Sequence, residues 1–152
     1  MRPPKIYLET TMFNYFFDTD RDAHPATVKL FEEIAAEKYE AYTARPVIEE
    51  IGRTKTDKRE KMLTLIADRE IPILETGVDA ERLADIYVAD GVIPKNYRTD
   101  GLHIAIAAVN DLDMIISMNF EHIVKRKTIK MTAAINSING YRAVEIYSPM
   151  EV

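Results

Sequence analysis

The order of elements along these 152 residues predicts an α/β fold, a three-layer α/β/α sandwich around a central, mainly parallel sheet. Three observations lead there. Short apolar runs of strand length (Ile6-Tyr7-Leu8, Met114-Ile115-Ile116) are separated by longer segments with helical periodicity. Several of these runs stop at an acid or an amide: Glu9 after the first, Ser117-Met118-Asn119 after the second. Finally, Asp100 opens the almost wholly apolar stretch Leu102 to Val109, a helix too apolar to lie on a surface. In a parallel sheet all strands finish on one edge, and ligands bind in the crevice outside those carboxyl ends.

The elements follow in order. Residues 5–9 are rich in β-formers and read as the first strand. Thr11 to Asp20 carries Phe13, Tyr15, Phe16 and Phe17 with no regular period and receives no assignment. Pro25, at a position where its missing N–H costs nothing, starts a helix whose apolar stripe is Val28, Phe31, Ile34 and Ala35. A strand is predicted from Tyr39 to Thr43, and a helix from near Pro46 through Ile51. Asp57 to Asp68 is amphipathic, Ile71 to Leu74 is a short strand whose proline favours an edge, and Val78 to Asp90 is a further helix. Thr99 is placed to cap the helix running to Asn110. A strand starting near Met114, a helical turn from Phe120 to Val124, a helix from Lys127 to Ser137 and a last strand starting near Ala143 complete the chain. No linker or repeat divides it, so residues 1–152 are expected to form a single domain.

Composition narrows the function. Hydrophobic content of 47% with 30% charged residues belongs to a folded globular protein and excludes a disordered chain. No stretch approaches the roughly 20 apolar residues of a membrane span, and the residues ahead of the first strand lack a signal-peptide core. Without cysteine there is no disulfide framework, thiolate nucleophile or thiolate zinc site, and a cytoplasmic location is expected. A net charge of −5 argues against nonspecific nucleic-acid binding through a basic surface. It leaves room for an enzyme that meets phosphates through bound metal. With only 5 glycines and no glycine-rich loop, a phosphate-transfer or receiver domain is disfavoured.

Converging carboxylates make a site for a hard cation. Glu9 alone reads most simply as a strand-end carboxylate capping the next helix. Asp100 alone suits a helix start through the macrodipole. Glu49 and Glu50 project about 100° apart on a helix, so only one faces inward, and Glu50, beside Ile51, is preferred. His103 follows Asp100 by three residues, where a packed or hydrogen-bonded ring outweighs a metal or base role. His24 and His122 carry no spacing signal. Lys125, Arg126, Lys127 and Lys130 read first as a solvated helix face and second as an RNA contact, and Arg45 and Arg53 share that ambiguity.

Taken together, Ile6-Tyr7-Leu8-Glu9-Thr10-Thr11, Val47-Ile48-Glu49-Glu50-Ile51, Thr99-Asp100-Gly101-Leu102-His103-Ile104-Ala105-Ile106-Ala107 and Ile116-Ser117-Met118-Asn119-Phe120 resemble the PIN-domain family. The resemblance spans essentially the whole chain, and its most specific piece is the helix opened by Asp100. It implies a PIN-like fold and a ribonuclease dependent on Mg²⁺ or Mn²⁺, of the kind found as VapC-type toxins in toxin–antitoxin pairs.

Mapped by motif, the family's acids fall at Glu9, Glu50 and Asp100, which are then the expected metal ligands. Its threonine/serine-x-aspartate motif falls at Ser117-Met118-Asn119. Glu9, Glu50, Asp100 and Asn119 become the catalytic set, with Thr11 and Ser117 in support. Two positions depart from the pattern: Glu9 keeps the charge but adds a methylene, and Asn119 loses a charge. Three carboxylates suffice for one Mg²⁺, which typically takes one or two and keeps several waters. Clustered without metal, they should repel and raise at least one pKa. The implied partners are RNA, an antitoxin protein and a second copy in a homodimer. The alternative is a weakly catalytic or inactive PIN domain acting as an RNA- or protein-binding module.

Overall fold

A computed structural model describes residues 2–152. Its strands are β1 (Lys5–Leu8), β2 (Glu40–Ala44), β3 (Ile73–Leu74), β4 (Met114–Ile116) and β5 (Glu145–Tyr147). All four pairings are parallel, in the order β3-β2-β1-β4-β5. Ile6, Tyr7 and Leu8 are all fully buried. Because successive residues of a strand face opposite sides, both faces of β1 must be covered, as the three-layer arrangement requires. The covering helices are α1 (Thr10–Tyr15), α2 (His24–Ala35), α3 (Arg45–Gly52), α4 (Thr56–Asp68), α5 (Val78–Ala89), α6 (Arg98–Val109) and α7 (Arg126–Ile138).

The strand order places the site. The chain builds outward from β1 through β2 to β3, then returns to the other side of β1 as β4 and β5. Strands β1 and β4 therefore flank the point where the winding reverses, the place at whose carboxyl edge open α/β sheets bind ligands. The register sets Leu8 beside Ile116, so Glu9 and Ser117 leave the sheet at the same level. The backbone N–H of Glu9 still donates to the Ile116 carbonyl (3.2 Å), which holds the two strand ends together.

Helix α6 is buried from Gly101 to Ala108. Gly101 permits its close approach to the neighbouring chain. A Cβ there would stand 3.3 Å from Ile93 Cγ1 and 3.4 Å from Tyr87 Cδ2. Among the described residues, no helix is long and apolar enough to cross a membrane.

Two local expectations, the cap of α6 and the start of the last strand, are corrected. Thr99 does not cap α6: a 3-10 turn over Lys95–Tyr97 runs straight into it, so the helix starts at Arg98 and leaves no extended cap residue. Asp100 consequently lies in its first turn. The expected helical turn after Asn119 is present over residues 120–123: the Asn119 side chain caps it by accepting from the His122 N–H (3.0 Å), the Asn119 carbonyl accepts from Ile123 N (3.1 Å), and α7 follows from Arg126. The last strand begins at Glu145, since pairing with β4 starts only opposite Met114. The unassigned aromatic segment contains α1, and its rings are packed: Phe13 and Phe16 both meet Phe31 edge to face. Pro72 precedes the edge strand β3 and keeps its carbonyl in use, accepting from Thr43 N (2.9 Å).

Candidate metal centre

Glu9 leaves the end of β1 and becomes the N-cap of α1. It is only 3% exposed, and three donors converge on its Oε1: Thr11 N (3.2 Å), Thr11 Oγ1 (2.5 Å) and Ser117 Oγ (2.7 Å). Both hydroxyls are themselves held by backbone from the β4 end. Asn119 N donates to Ser117 Oγ (2.9 Å), and Met118 N donates to Thr11 Oγ1 (2.8 Å). The capping role and the site role of Glu9 are thus compatible, because the cap uses one oxygen and leaves Oε2 for a ligand. The extra methylene is accommodated by this clamp.

Glu50 lies on α3, half-buried, whereas its neighbour Glu49 is exposed. Its Oε1 accepts from Thr10 Oγ1 (2.6 Å) and from His103 Nε2 (2.7 Å). His103 is fully buried on α6, and its Nδ1 meets the Tyr7 hydroxyl at 2.6 Å. A buried path therefore runs from the centre of β1, through an imidazole, to an acid on α3. One ligand-capable atom from each of Glu9, Glu50 and His103 lies within 4.8 Å of the other two.

Asp100 stands outside that trio, one helical turn before His103. It is half-buried beside the Asn119 amide, which stabilises its charged form. The expected set thus divides. Glu9 and Glu50 come together with His103, while Asp100 and Asn119 form a neighbouring pair close enough for Glu50 and His103 to act on the Asp100 carboxyl. A small groove of about 170 Å³, lined in part by Glu50, Arg53 and Thr99, opens beside them.

The protonation pattern follows from burial more than from repulsion between acids. Burial raises the Glu9 carboxyl, against the pull of His103 and of its hydroxyl donors, and Glu50 adds to the rise. Burial raises Asp100 likewise, against Asn119 and the two histidines. For Glu50 burial is again the largest single influence, but His103, Thr10 and Arg53 together outweigh it and hold the carboxyl below its usual range. His103 is the counterpart: burial disfavours its charge, yet Glu50, Glu9 and Asp100 raise its pKa. The Tyr7 phenol is pushed well up by burial first, then by Glu9 and Glu50, so it stays neutral.

The sequence suggested a packed or hydrogen-bonded ring at His103, which it is, but did not reveal that it ties β1 to Glu50. Its spacing of one helical turn from Asp100 was the available signal. Tyr7 carried none, being one apolar strand residue among three. Of the arginines flanking Glu50, Arg45 is engaged by Glu75 (2.8 Å), and Arg53 lines the groove.

The donor set suits a divalent cation. It offers carboxylate oxygens with an imidazole beside them, and the buried Glu9 and half-buried Asp100 have raised pKa values, so a cation would relieve the cost of ionising them.

No protein-family model matches this chain, and no curated protein matches it in sequence. Solved structures do. The chain is similar to a VapBC2 structure from Rickettsia felis, bound to a DNA fragment from the promoter, with TM-score 0.58, 13% identity, and coverage of 95% of this chain and 98% of the other. It is also similar to VapC20 of Mycobacterium tuberculosis, a sarcin–ricin loop cleaving toxin, with TM-score 0.61, 12% identity, and coverage of 92% and 98%. Similarity at this level of identity shows the fold, which is the PIN fold of VapC proteins.

Proposed function

We propose that this chain is a metal-dependent ribonuclease of PIN type, the toxin of a toxin–antitoxin pair, with Glu9, Glu50, Asp100 and Asn119 as its catalytic set. The observation that carries the reading is the convergence of Glu9, Glu50 and His103 within 4.8 Å at the point where the sheet's winding reverses, with Asp100 alongside. Burying this much negative charge is costly unless a cation shares the site. The VapC20 toxin cleaves the sarcin–ricin loop, which supports RNA as the substrate here, and the VapBC2 likeness supports an antitoxin partner. A cytoplasmic location and assembly as a homodimer go with the reading.

Glu9, Glu50 and Asp100 would hold Mg²⁺ or Mn²⁺. The bound ion supplies Lewis-acid stabilisation of charge on phosphoryl oxygens and lowers the pKa of water. Thr11 and Ser117 hold one oxygen of the Glu9 carboxylate and would leave the other for the ion, and Thr10 and His103 hold one oxygen of Glu50 in the same way. The Asn119 amide steadies Asp100. Lys125, Arg126, Lys127 and Lys130 are all exposed, and they follow the β4 end where a phosphate backbone would pass.

A binding module without catalysis is the second reading, and Asn119 favours it. Its Oδ1 is spent on the His122 N–H, and it brings no charge to the site. Incubation of varied RNAs with Mg²⁺, Mn²⁺ or EDTA separates the two. Cleavage that requires the metal supports the nuclease, and RNA binding with no cleavage in any metal supports the module.

A further inference from the structure

Among the described residues, the large hydrophobic side chains that are exposed include two aromatic ones, Tyr97 and Phe120, each 49% accessible. They belong to different loops, yet both adjoin the candidate site. Tyr97 is three residues before Asp100, and Phe120 directly follows Asn119. The other exposed large hydrophobics, among them Leu63, Ile138 and Met150, are not aromatic, and single exposed hydrophobics need no explanation.

Tyr97 is also held in place. Its ring lies on the His122 imidazole with centroids 4.2 Å apart and planes tilted by 35°. His122 is 9% exposed, and its backbone N–H is fixed by Asn119 Oδ1. Its Nε2 is buried without a hydrogen-bond partner, although Glu121 Oε1, on an exposed side chain, stands 3.5 Å away. His122 also acts on the Asp100 carboxyl. The stacked pair thus bridges the loop before α6 and the loop after β4, the two walls that carry Asp100 and Asn119. Core packing does not account for an aromatic ring left half in water while its other side is supported by an imidazole with an unspent nitrogen.

We propose that the Tyr97–His122 pair, with Phe120 two residues before His122 on the same turn, is a stacking platform for an unpaired nucleobase of RNA next to the bond to be cut. The inference rests on the ribonuclease reading and deepens it, naming the side chains that would seat a base beside the site acids. A base within a duplex is covered by its neighbours and presents no free face to Tyr97, whereas one in a loop or single strand can be splayed onto an aromatic ring. Stacking tolerates any base, because every base has a π-face, so the platform selects strandedness rather than sequence. Phosphates on either side of the stacked base would reach the site acids through their metal and the exposed Lys125–Lys130 segment through charge.

The test uses the full chain and a single-stranded RNA carrying 2-aminopurine, with Ca²⁺ as the added cation for binding and Mn²⁺ for turnover. Stacking quenches 2-aminopurine. Wild type should quench it, Tyr97→Ala should abolish the quench and raise KM by about tenfold, the scale of one lost base–aromatic stack, and kcat should change little. Tyr97→Phe keeps the ring and should retain both quench and KM. Phe120→Ala should give a smaller rise in KM. Mn²⁺-induced thermal stabilisation should be the same in every variant, which checks that the metal site is intact. The platform is overturned if wild type binds or cleaves RNA without quenching, or if Tyr97→Ala quenches and turns over like wild type. Metal-dependent cleavage with no Tyr97 effect leaves the nuclease standing and removes the platform. Quenching that depends on Tyr97 with no cleavage removes the nuclease and leaves the platform.

Discussion

Replacing Glu9 by aspartate tests whether the longer acid is a defect or a built feature. The change withdraws the carboxylate by about 1.5 Å, one carbon–carbon bond. The contacts from Thr11 Oγ1 at 2.5 Å and Ser117 Oγ at 2.7 Å would then stretch to roughly 4 Å, beyond hydrogen-bond range. Each is a bond to an ionised group, which contributes about 1.5–3 kcal/mol. Movement of the extended cap at residue 9 recovers part of the loss, which leaves a net cost of about 2–3 kcal/mol. For a chain of this size each kcal/mol lowers Tm by about 2–4 °C. We therefore expect Glu9→Asp to unfold roughly 4–12 °C below wild type in metal-free buffer, and to cleave RNA more slowly in Mn²⁺. Thermal unfolding followed by circular dichroism measures the first, and initial cleavage rates measure the second. A variant as stable as wild type and more active would refute the reasoning, because Glu9 would then be a poor substitute that aspartate repairs.

Asn119→Asp adds a charge beside Asp100 while an oxygen can still accept from the His122 N–H. It should lower stability without metal and enlarge the stabilisation that Mn²⁺ gives, both read by thermal shift. The pH dependence has a definite sign. Glu9 and Asp100 have raised pKa values when folded, so their contribution is greatest below the unfolded values near 4 and is lost as pH rises through the folded ones. Glu50, held low, behaves oppositely and loses its contribution only as pH falls below about 4. The Tm difference between Mn²⁺-loaded and metal-free protein should therefore widen from pH 5 to pH 8, and a constant difference would contradict the burial of these acids. Gly101→Val should cost about 1–3 kcal/mol by overpacking against Ile93 and Tyr87, measured by urea unfolding, with no dependence on metal.

The architecture was legible because strands and helices carry different periods. The apolar runs at Ile6–Leu8 and Met114–Ile116, of strand length and set between longer helical patterns, read as buried strands, and the apolar helix after Asp100 read as internal. Choosing Glu50 over Glu49 needed only the phase of Val47, Ile48 and Ile51. Other features depended on tertiary structure. Nothing in the sequence tells that Tyr7 reaches His103 across 96 positions, or that Ser117 donates to Glu9 across 108. The start of α6 was misplaced because a preceding 3-10 turn removes the need for a cap. The aromatic segment defied assignment because α1 is a short helix buried by packing rather than defined by period.

The most direct test of the account is RNA cleavage by wild type and Asp100→Asn side by side in Mg²⁺ and Mn²⁺. Asparagine keeps the size of the side chain in the first turn of α6 and removes the charge proposed to bind metal. Wild type should cleave only with metal, and Asp100→Asn should be slower by at least about a hundredfold, equivalent to roughly 2.7 kcal/mol of transition-state stabilisation. Equal cleavage by the two proteins, or cleavage that persists in EDTA, would contradict the account.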